Sequence, residues 1–136
     1  MRRALLPVLL LIAACGGPRL VPYTPLEKKT DLDGKKLYEA AEGTLLDRGY
    51  LIEKRDEAGL TLVTEPRTIL GSDIGQNKFK YAFTVKTVGG TLRIDLKCRE
   101  AGGLGEPVDC DKETPEKVVQ EQSAIAEQAI NEAKGK

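Results

Sequence analysis

The sequence FKYAFTVKTVGGTLRIDLKC, residues 79–98, decides the fold, because apolar and polar side chains alternate along it on both sides of a glycine pair. Alternation with a period of two is typical of a half-buried β-strand. Gly89 and Gly90 can form the primed two-residue turn that joins antiparallel strands. That turn predicts three apolar pairs across the hairpin, which are Tyr81 with Cys98, Phe83 with Leu96, and Val85 with Ile94.

Two helices are predicted, one before the sheet and one after it. Residues 31–48 carry apolar positions on one face, and Gly49 follows as a left-handed cap. A second helix is expected to begin at Pro115, with Thr114 as its N-cap. The first apolar face comprises Leu37, Ala41, Thr44 and Leu45. The second comprises Val118, Gln122, Ile125, Ala126, Ala129, Ile130 and Ala133.

Another hairpin is predicted between the first helix and the segment quoted above. Residues 50–56 and 60–65 alternate around a three-residue loop, in which Gly59 suits a positive φ. The expected register pairs Ile52 with Thr64 and Lys54 with Leu62, and turns Glu53, Arg55, Thr61 and Val63 to the other side. The order of elements predicts a two-layer α+β domain: a helix, a four-stranded antiparallel sheet of two hairpins, and a helix, with both helices on one sheet face.

The N-terminal segment has the pattern of a secretory signal. Arg2 and Arg3 precede an apolar run over residues 4–14, which ends in small residues. Eleven residues at about 1.5 Å each are too short to cross a hydrocarbon layer of about 30 Å. Loss of residues 1–14 would leave 19 basic and 21 acidic side chains, a net charge of −2.

Ile12, Ala13, Ala14 and Cys15 resemble the bacterial lipobox. The resemblance implies cleavage before Cys15, a lipid on its sulfur and acylation of the new amine, which together anchor the chain stably in a membrane. The Gly that follows the cysteine implies the outer membrane under that family's sorting rule. The alternative is an ordinary signal peptide cleaved after Ala14, with Cys15 as an incidental thiol.

The chain after the signal is expected to consist of a tether and one domain. Residues 15–30 contain Pro18, Pro22 and Pro25, a composition typical of a semi-rigid tether that rises about 3.1 Å per residue. The single domain is predicted over residues 31–134. Cys98 and Cys110 enclose a Gly-rich excursion and are expected to form a disulfide, which adds about 3 kcal/mol. A buried free thiol at Cys98 is the alternative.

Composition excludes several classes of function. The chain has no His, three Cys and six aromatic residues, so we expect no metal site, no cofactor and no catalytic residues. An enzyme is therefore not expected. The absence of a basic excess argues against nucleic acid. The aromatic segment of residues 78–83 is similar to the aromatic strand of RNA-recognition modules, but its rings share the apolar face of the hairpin.

Two groups of residues are candidates for partner binding. The outward face of the 79–98 hairpin and its extension holds five cations against Asp95, namely Lys80, Lys86, Arg93, Lys97 and Arg99. We expect this face to meet an anionic lipid, lipopolysaccharide phosphate or an acidic protein, or else to be a solvated face that discourages aggregation. The long connection over residues 66–77 contains Ile69, Leu70 and Ile74, which either bind a partner or cap the core.

The sequence LLDRGYLIEKRDEAGLTLVTEP, residues 45–66, resembles the helix-to-hairpin segment of BamC-type lipoprotein domains. In that segment a Gly-Tyr step leaves the helix, and a strand ending in Thr follows. The resemblance implies a non-enzymatic accessory protein that binds envelope components on the periplasmic face of the outer membrane of a Gram-negative cell. The alternatives are a lipid or lipopolysaccharide transport accessory and an inhibitor of wall hydrolases.

Overall fold

The computed structural model describes residues 19–69, 79–100, 108–109 and 113–135. The strands in this part of the chain are β1 (Leu20–Pro22), β2 (Leu26–Lys29), β3 (Ile52–Asp56), β4 (Thr61–Thr64), β5 (Phe79–Val88), β6 (Thr91–Glu100), β7 (Val108–Asp109) and β8 (Glu113–Pro115). The helices are α1 (Gly34–Asp47), which follows β2, and α2 (Glu116–Lys134), which follows β8.

The main sheet has the strand order β2-β6-β5-β4-β3, and all of its neighbouring strands are antiparallel. The short strand β7 also pairs with β6, and β1 pairs with β8 in a separate two-stranded sheet. The α+β class is therefore confirmed, whereas the expected number of four strands is wrong. Apolar and polar residues do not alternate in the sequence LEKK of β2, so periodicity predicts no strand there. Its backbone pairing with β6 identifies β2 as a strand.

Both helices pack against one face of the main sheet. Side chains from α1, α2 and the inward positions of β4, β5 and β6 form one hydrophobic cluster. At its centre the rings of Tyr50 and Phe83 meet edge to face, with centroids 5.5 Å apart, an arrangement that aromatic pairs favour. The polar positions of β5 and β6 lie on the opposite face of the sheet, because side chains of a strand alternate between faces.

The β5–β6 hairpin has the register that its sequence predicts. Tyr81 lies opposite Cys98, Phe83 opposite Leu96, and Val85 opposite Ile94. The turn has a positive φ of 58° at Gly89, as type II′ turns do at their first central residue. Gly90 is required for another reason, since a Cβ atom there would overlap the carbonyl oxygen of Thr30.

The β3–β4 hairpin differs from the expected register beyond its first pair. Ile52 lies opposite Thr64 as predicted, but a bulge then places Lys54 opposite Val63 and Arg55 opposite Leu62. A bulge adds one residue to one strand, so the side chains after it change faces. Arg55 therefore points to the helix layer, where its Nε donates to Glu42 of α1 at 2.6 Å. The expected pairing of Lys54 with Leu62 is wrong.

The turn of that hairpin also differs from the expectation. Its positive φ, 48°, is at Leu60 and not at Gly59. The backbone N–H of Gly59 donates to the Asp56 carboxylate at 2.9 Å. This side-chain bond to the N–H three residues on closes the turn, and the left-handed residue Leu60 follows it.

Neighbouring residues fix both ends of α1 through capping hydrogen bonds. Asp33 is the N-cap, and its carboxylate accepts from the Lys36 N–H at 3.3 Å. At the other end Gly49 has a φ of 85°, as expected. The Tyr50 N–H donates to the Leu45 carbonyl at 2.9 Å and the Gly49 N–H to the Leu46 carbonyl at 3.0 Å, which is a Schellman motif. The buried residues of α1 include the four that were expected, Leu37, Ala41, Thr44 and Leu45.

The start of α2 corrects one prediction. Thr114 belongs to β8 and pairs with Val21, so it is not the N-cap, and Pro115 holds that position without a side-chain bond. The Glu116 N–H instead donates to the Arg19 carbonyl at 2.7 Å. The predicted stripe is otherwise the buried face of α2, with Ile130 half-buried.

The strands β1 and β2 lie within residues that the sequence assigns to a tether. The outer edge of β6 explains why β2 is ordered, because unpaired N–H and C=O groups at a sheet edge need partners, whereas β1 pairs with β8. Leu26 lies opposite Ile94 along that edge, and the Tyr23 hydroxyl accepts from the Leu96 N–H at 3.0 Å. The sheet therefore begins before Asp31. No helix in the described ranges is long and apolar enough to span a membrane.

Candidate functional site

The five predicted cations lie on the sheet face opposite the helices. We call a set of seven outward polar side chains of β5 and β6 the open face. Its members are Lys80, Thr84, Lys86, Arg93, Asp95, Lys97 and Arg99. The register places Lys86 opposite Arg93 and Lys80 opposite Arg99, as expected. Lys86, Arg93 and Lys97 are exposed, whereas Lys80 and Arg99 are half-buried.

Arg93 is more fully paired than the sequence suggests. Its Nε lies 2.9 Å from Asp95, and its Nη1 lies 3.1 Å from Glu27 of β2. The hydrogen bond to Asp95 is the main cause that raises the pKa of Arg93, and the charge of Glu27 adds to it. The charge of Arg93 is therefore compensated by two carboxylates, because the pairing of β2 with β6 brings Glu27 next to it.

The other predicted site residues are only partly within the described chain. Ile69 is half-buried and packs against the core, which agrees with its alternative role as a cap on the core. Leu70 and Ile74 lie outside the described residues. Cys98 is disulfide-bonded, while its expected partner Cys110 and the expected lipid site Cys15 lie outside the described residues.

A second polar group, which the sequence did not indicate, joins the C-terminal end of α1 to α2. We call it the Glu121 cluster, and its members are Arg48, Tyr50, Arg67, Glu121 and Gln128. Arg48 donates to both carboxylate oxygens of Glu121, at 2.9 and 2.6 Å, and the Tyr50 hydroxyl donates to the same carboxylate at 3.0 Å. Bidentate bonds of this kind fix the geometry of both side chains.

Arg67 completes the Glu121 cluster from the segment after β4. Its backbone N–H and carbonyl both bond to Tyr81 of β5, which fixes its position. Its Nη1 donates to the Arg48 carbonyl at 2.8 Å. Its guanidinium lies 4.1 Å from the centroid of the Tyr50 ring, within the range of a cation–π contact.

The charges of the Glu121 cluster shift the pKa values of its members. The hydrogen bond from Arg48 is the largest cause that lowers the pKa of Glu121, and it outweighs the opposing effect of burial. Burial, followed by the charge of Glu121, raises the pKa of Tyr50. The carboxylate therefore stays ionised and the phenol stays neutral around pH 7.

A cleft of 400 Å³ opens beside the Glu121 cluster. It is lined by Arg48, Arg67, Ile69, Lys117, Gln120, Glu121 and Ala124. Three cations face one carboxylate here, so the cleft has a local charge of +2. A sequence signal for this site was hard to recognise, because Arg48, Arg67 and Glu121 are far apart along the chain.

The described residues show no arrangement that would hold a metal. No group of three or more His, Cys, Asp or Glu side chains in that part of the chain is placed to bind an ion. The chemistry available at the open face and at the Glu121 cluster is that of charge pairing and hydrogen bonding.

Comparison with known proteins adds no assignment. No protein-family model matches the chain, and no curated protein matches it.

Proposed function

We propose that this chain is a lipoprotein of the outer membrane, anchored through Cys15 and facing the periplasm. In this proposal it acts as a non-enzymatic binding module in cell-envelope assembly. The lipobox-like residues 12–15 support the anchor, and the open face supports the binding role. The partner is an envelope protein with an acidic surface that docks on the open face.

One observation carries the binding role: the open face holds like charges directly opposite each other. Lys86 faces Arg93, and Lys80 faces Arg99. Such pairs destabilise a hairpin slightly, and within the described residues the ion pairs of Asp95 and Glu27 are both with Arg93. A complementary acidic surface would offset the remaining repulsion and would also increase the rate of encounter.

The position of β1 favours a domain that lies close to the membrane. Leu20 begins β1 only five residues after Cys15. Five residues span at most about 18 Å when fully extended, which is less than the few tens of Å that a tether ending at Thr30 would allow. A short link would limit the domain to partners at or near the bilayer surface.

Charge reversal on the open face tests the proposal. We expect Lys86→Glu with Lys97→Glu to reduce the recovery of a crosslinked partner from intact cells by about tenfold, which corresponds to about 1.4 kcal/mol of binding free energy. The matched control is Lys28→Glu with Lys134→Glu, which makes the same charge change at two exposed lysines outside both the open face and the cationic cleft. Equal recovery from both double variants would refute the role of the open face.

One observation favours the alternative of a lipid or lipopolysaccharide transport accessory. The cationic cleft shares Gln120 and Ala124 with a second, more apolar groove of 480 Å³. The other residues that line this groove are Val21, Pro22, Val119 and Ser123, with Glu116 and Glu127. Adjacent cationic and apolar surfaces suit an amphiphile with an anionic headgroup. Binding of phosphatidylglycerol vesicles that Arg67→Gln weakens and that the open-face variants leave intact would favour this alternative.

A further inference from the structure

A third cavity, of 680 Å³, lies between the first half of α1 and the β3–β4 turn. We call it the Tyr38 pocket, and it is lined by Lys35, Tyr38, Glu39, Glu42, Glu57, Ala58 and Leu60. Three of these side chains are acidic and one is basic. The pocket is therefore anionic, unlike the cationic cleft beside the Glu121 cluster.

The three carboxylates of the pocket differ in their partners. Glu42 accepts from Arg55 at 2.6 Å, so its charge is compensated. Within the described residues, Glu39 and Glu57 take part in none of the ion pairs. Two carboxylates thus remain at the rim to attract a cation.

The hydroxyl of Tyr38 is an independent sign of a missing ligand. Tyr38 is 5% exposed, and its buried hydroxyl has no hydrogen-bond partner in the described part of the chain. Buried hydroxyl groups nearly always have a partner, because an unpaired one destabilises the folded state. Burial is the main cause that raises the pKa of Tyr38; the charges of Glu42 and Glu57 raise this pKa further, and the charge of Arg55 lowers it.

The backbone at the rim is strained at one residue. Leu60 lines the pocket and has a φ of 48°, a conformation that residues other than Gly, Asn and Asp seldom adopt. Strain of this kind persists where the surrounding structure enforces it, and it is concentrated at binding sites. The turn that carries Leu60 also carries Glu57, so the same strained turn positions a rim carboxylate.

We propose that the Tyr38 pocket binds an alkylammonium group, which donates hydrogen bonds to Glu39, Glu57 and the hydroxyl oxygen of Tyr38. An ammonium has three donors and no acceptor, so it matches two carboxylates and one hydroxyl. Because the hydroxyl oxygen is covered, the ligand reaches it only after a lining side chain moves, and the proposal assigns that movement to the exposed Lys35. The ligand is either a small primary amine or the lysine side chain of another protein.

The test is a titration of the full-length chain in nonionic detergent micelles, followed by NMR of backbone amides. We expect pentylamine to shift the amides of residues 35–42 and 57–60 saturably, whereas the neutral isostere 1-pentanol leaves them unshifted. Tyr38→Phe is expected to weaken pentylamine binding by about fivefold, and Lys35→Gln to strengthen it. N-acetyl-lysine methylamide, with its free ε-ammonium, reports whether a protein lysine binds as well as a free amine.

Tyr38→Phe also separates a binding role from a structural one. Removing an unpaired buried hydroxyl should raise the melting temperature of the protein in either case. Only a binding role predicts that the same variant loses affinity for the amine while it gains stability. Unchanged pentylamine affinity in Tyr38→Phe, equal shifts with 1-pentanol, or no saturable shift in the wild-type chain would each overturn the proposal.

Discussion

Glu121→Ala should lower the free energy of unfolding by about 3 kcal/mol, because it removes the acceptor of three hydrogen bonds at once. Tyr50 is 1% exposed, so its hydroxyl would be left buried without a partner, at a cost of about 1–3 kcal/mol. Arg48 and Glu121 are 29% and 18% exposed, and solvent screening limits the loss of their ion pair to about 1 kcal/mol.

A double-mutant cycle with Tyr50→Phe isolates the cost of the unpaired hydroxyl. Tyr50→Phe alone should cost about 1 kcal/mol, since Glu121 keeps its two bonds from Arg48. The double variant should cost only about 2 kcal/mol, because no hydroxyl remains to be left unpaired. The expected coupling energy between the two positions is therefore about 2 kcal/mol.

Urea unfolding of the full-length chain at pH 7, followed by far-ultraviolet circular dichroism, measures each free energy. Glu42→Ala is the matched control, since it breaks an ion pair of the same length, 2.6 Å, in which Arg55 is 45% exposed. That control should cost about 0.5 kcal/mol. The reasoning would be refuted if the losses of Glu121→Ala and Tyr50→Phe summed to the loss of the double variant within about 0.5 kcal/mol.

Three other variants have expected outcomes. The pKa of Glu121 is lowered from 4.5 in the folded chain. The stabilising contribution of its carboxylate is therefore present above pH 4.5 and is lost as pH falls through the lowered value. In acid unfolding, the stability of Glu121→Gln should decline less steeply below pH 4.5 than the stability of the wild type. Gly90→Ala should destabilise the chain by about 2 kcal/mol, because its Cβ would overlap the Thr30 carbonyl oxygen. Gly43→Ala, with no atom closer than 3.8 Å, should stabilise α1 by about 0.5–1 kcal/mol. Thermal unfolding distinguishes the two glycine variants by the sign of the change in melting temperature.

Local sequence patterns predicted the elements whose signals are contained within one segment. The β5–β6 register follows from alternation and a glycine pair, and the end of α1 follows from Gly49. The β3–β4 register could not be predicted beyond Ile52, because alternation assumes an unbroken pleat and a bulge breaks it. As a result, Arg55 was expected on the outer face of the hairpin, whereas in the structure it lies on the helix side and bonds to Glu42.

The candidate sites were predicted less well than the fold. The five cations of the open face were placed correctly, because strand periodicity decides which side chains share a face. The charge balance around these cations was not predicted, since Glu27 reaches Arg93 only through the pairing of β2 with β6. The Tyr38 pocket combines residues of α1 with the β3–β4 turn, and no spacing within either element indicates that they meet.

The amino-acid sequence by itself determined the α+β class, the central hairpin, the two helices and the face on which the cations lie. These properties depend on periodicity and on glycine conformations, which act over a few neighbouring residues. Only the tertiary structure decided that β1 and β2 join the sheets, that Glu121 links Arg48 to Tyr50, and that the Tyr38 hydroxyl is left unpaired. Those features depend on the packing of residues that are distant in the chain, where burial determines what each hydrogen-bonding group costs or contributes.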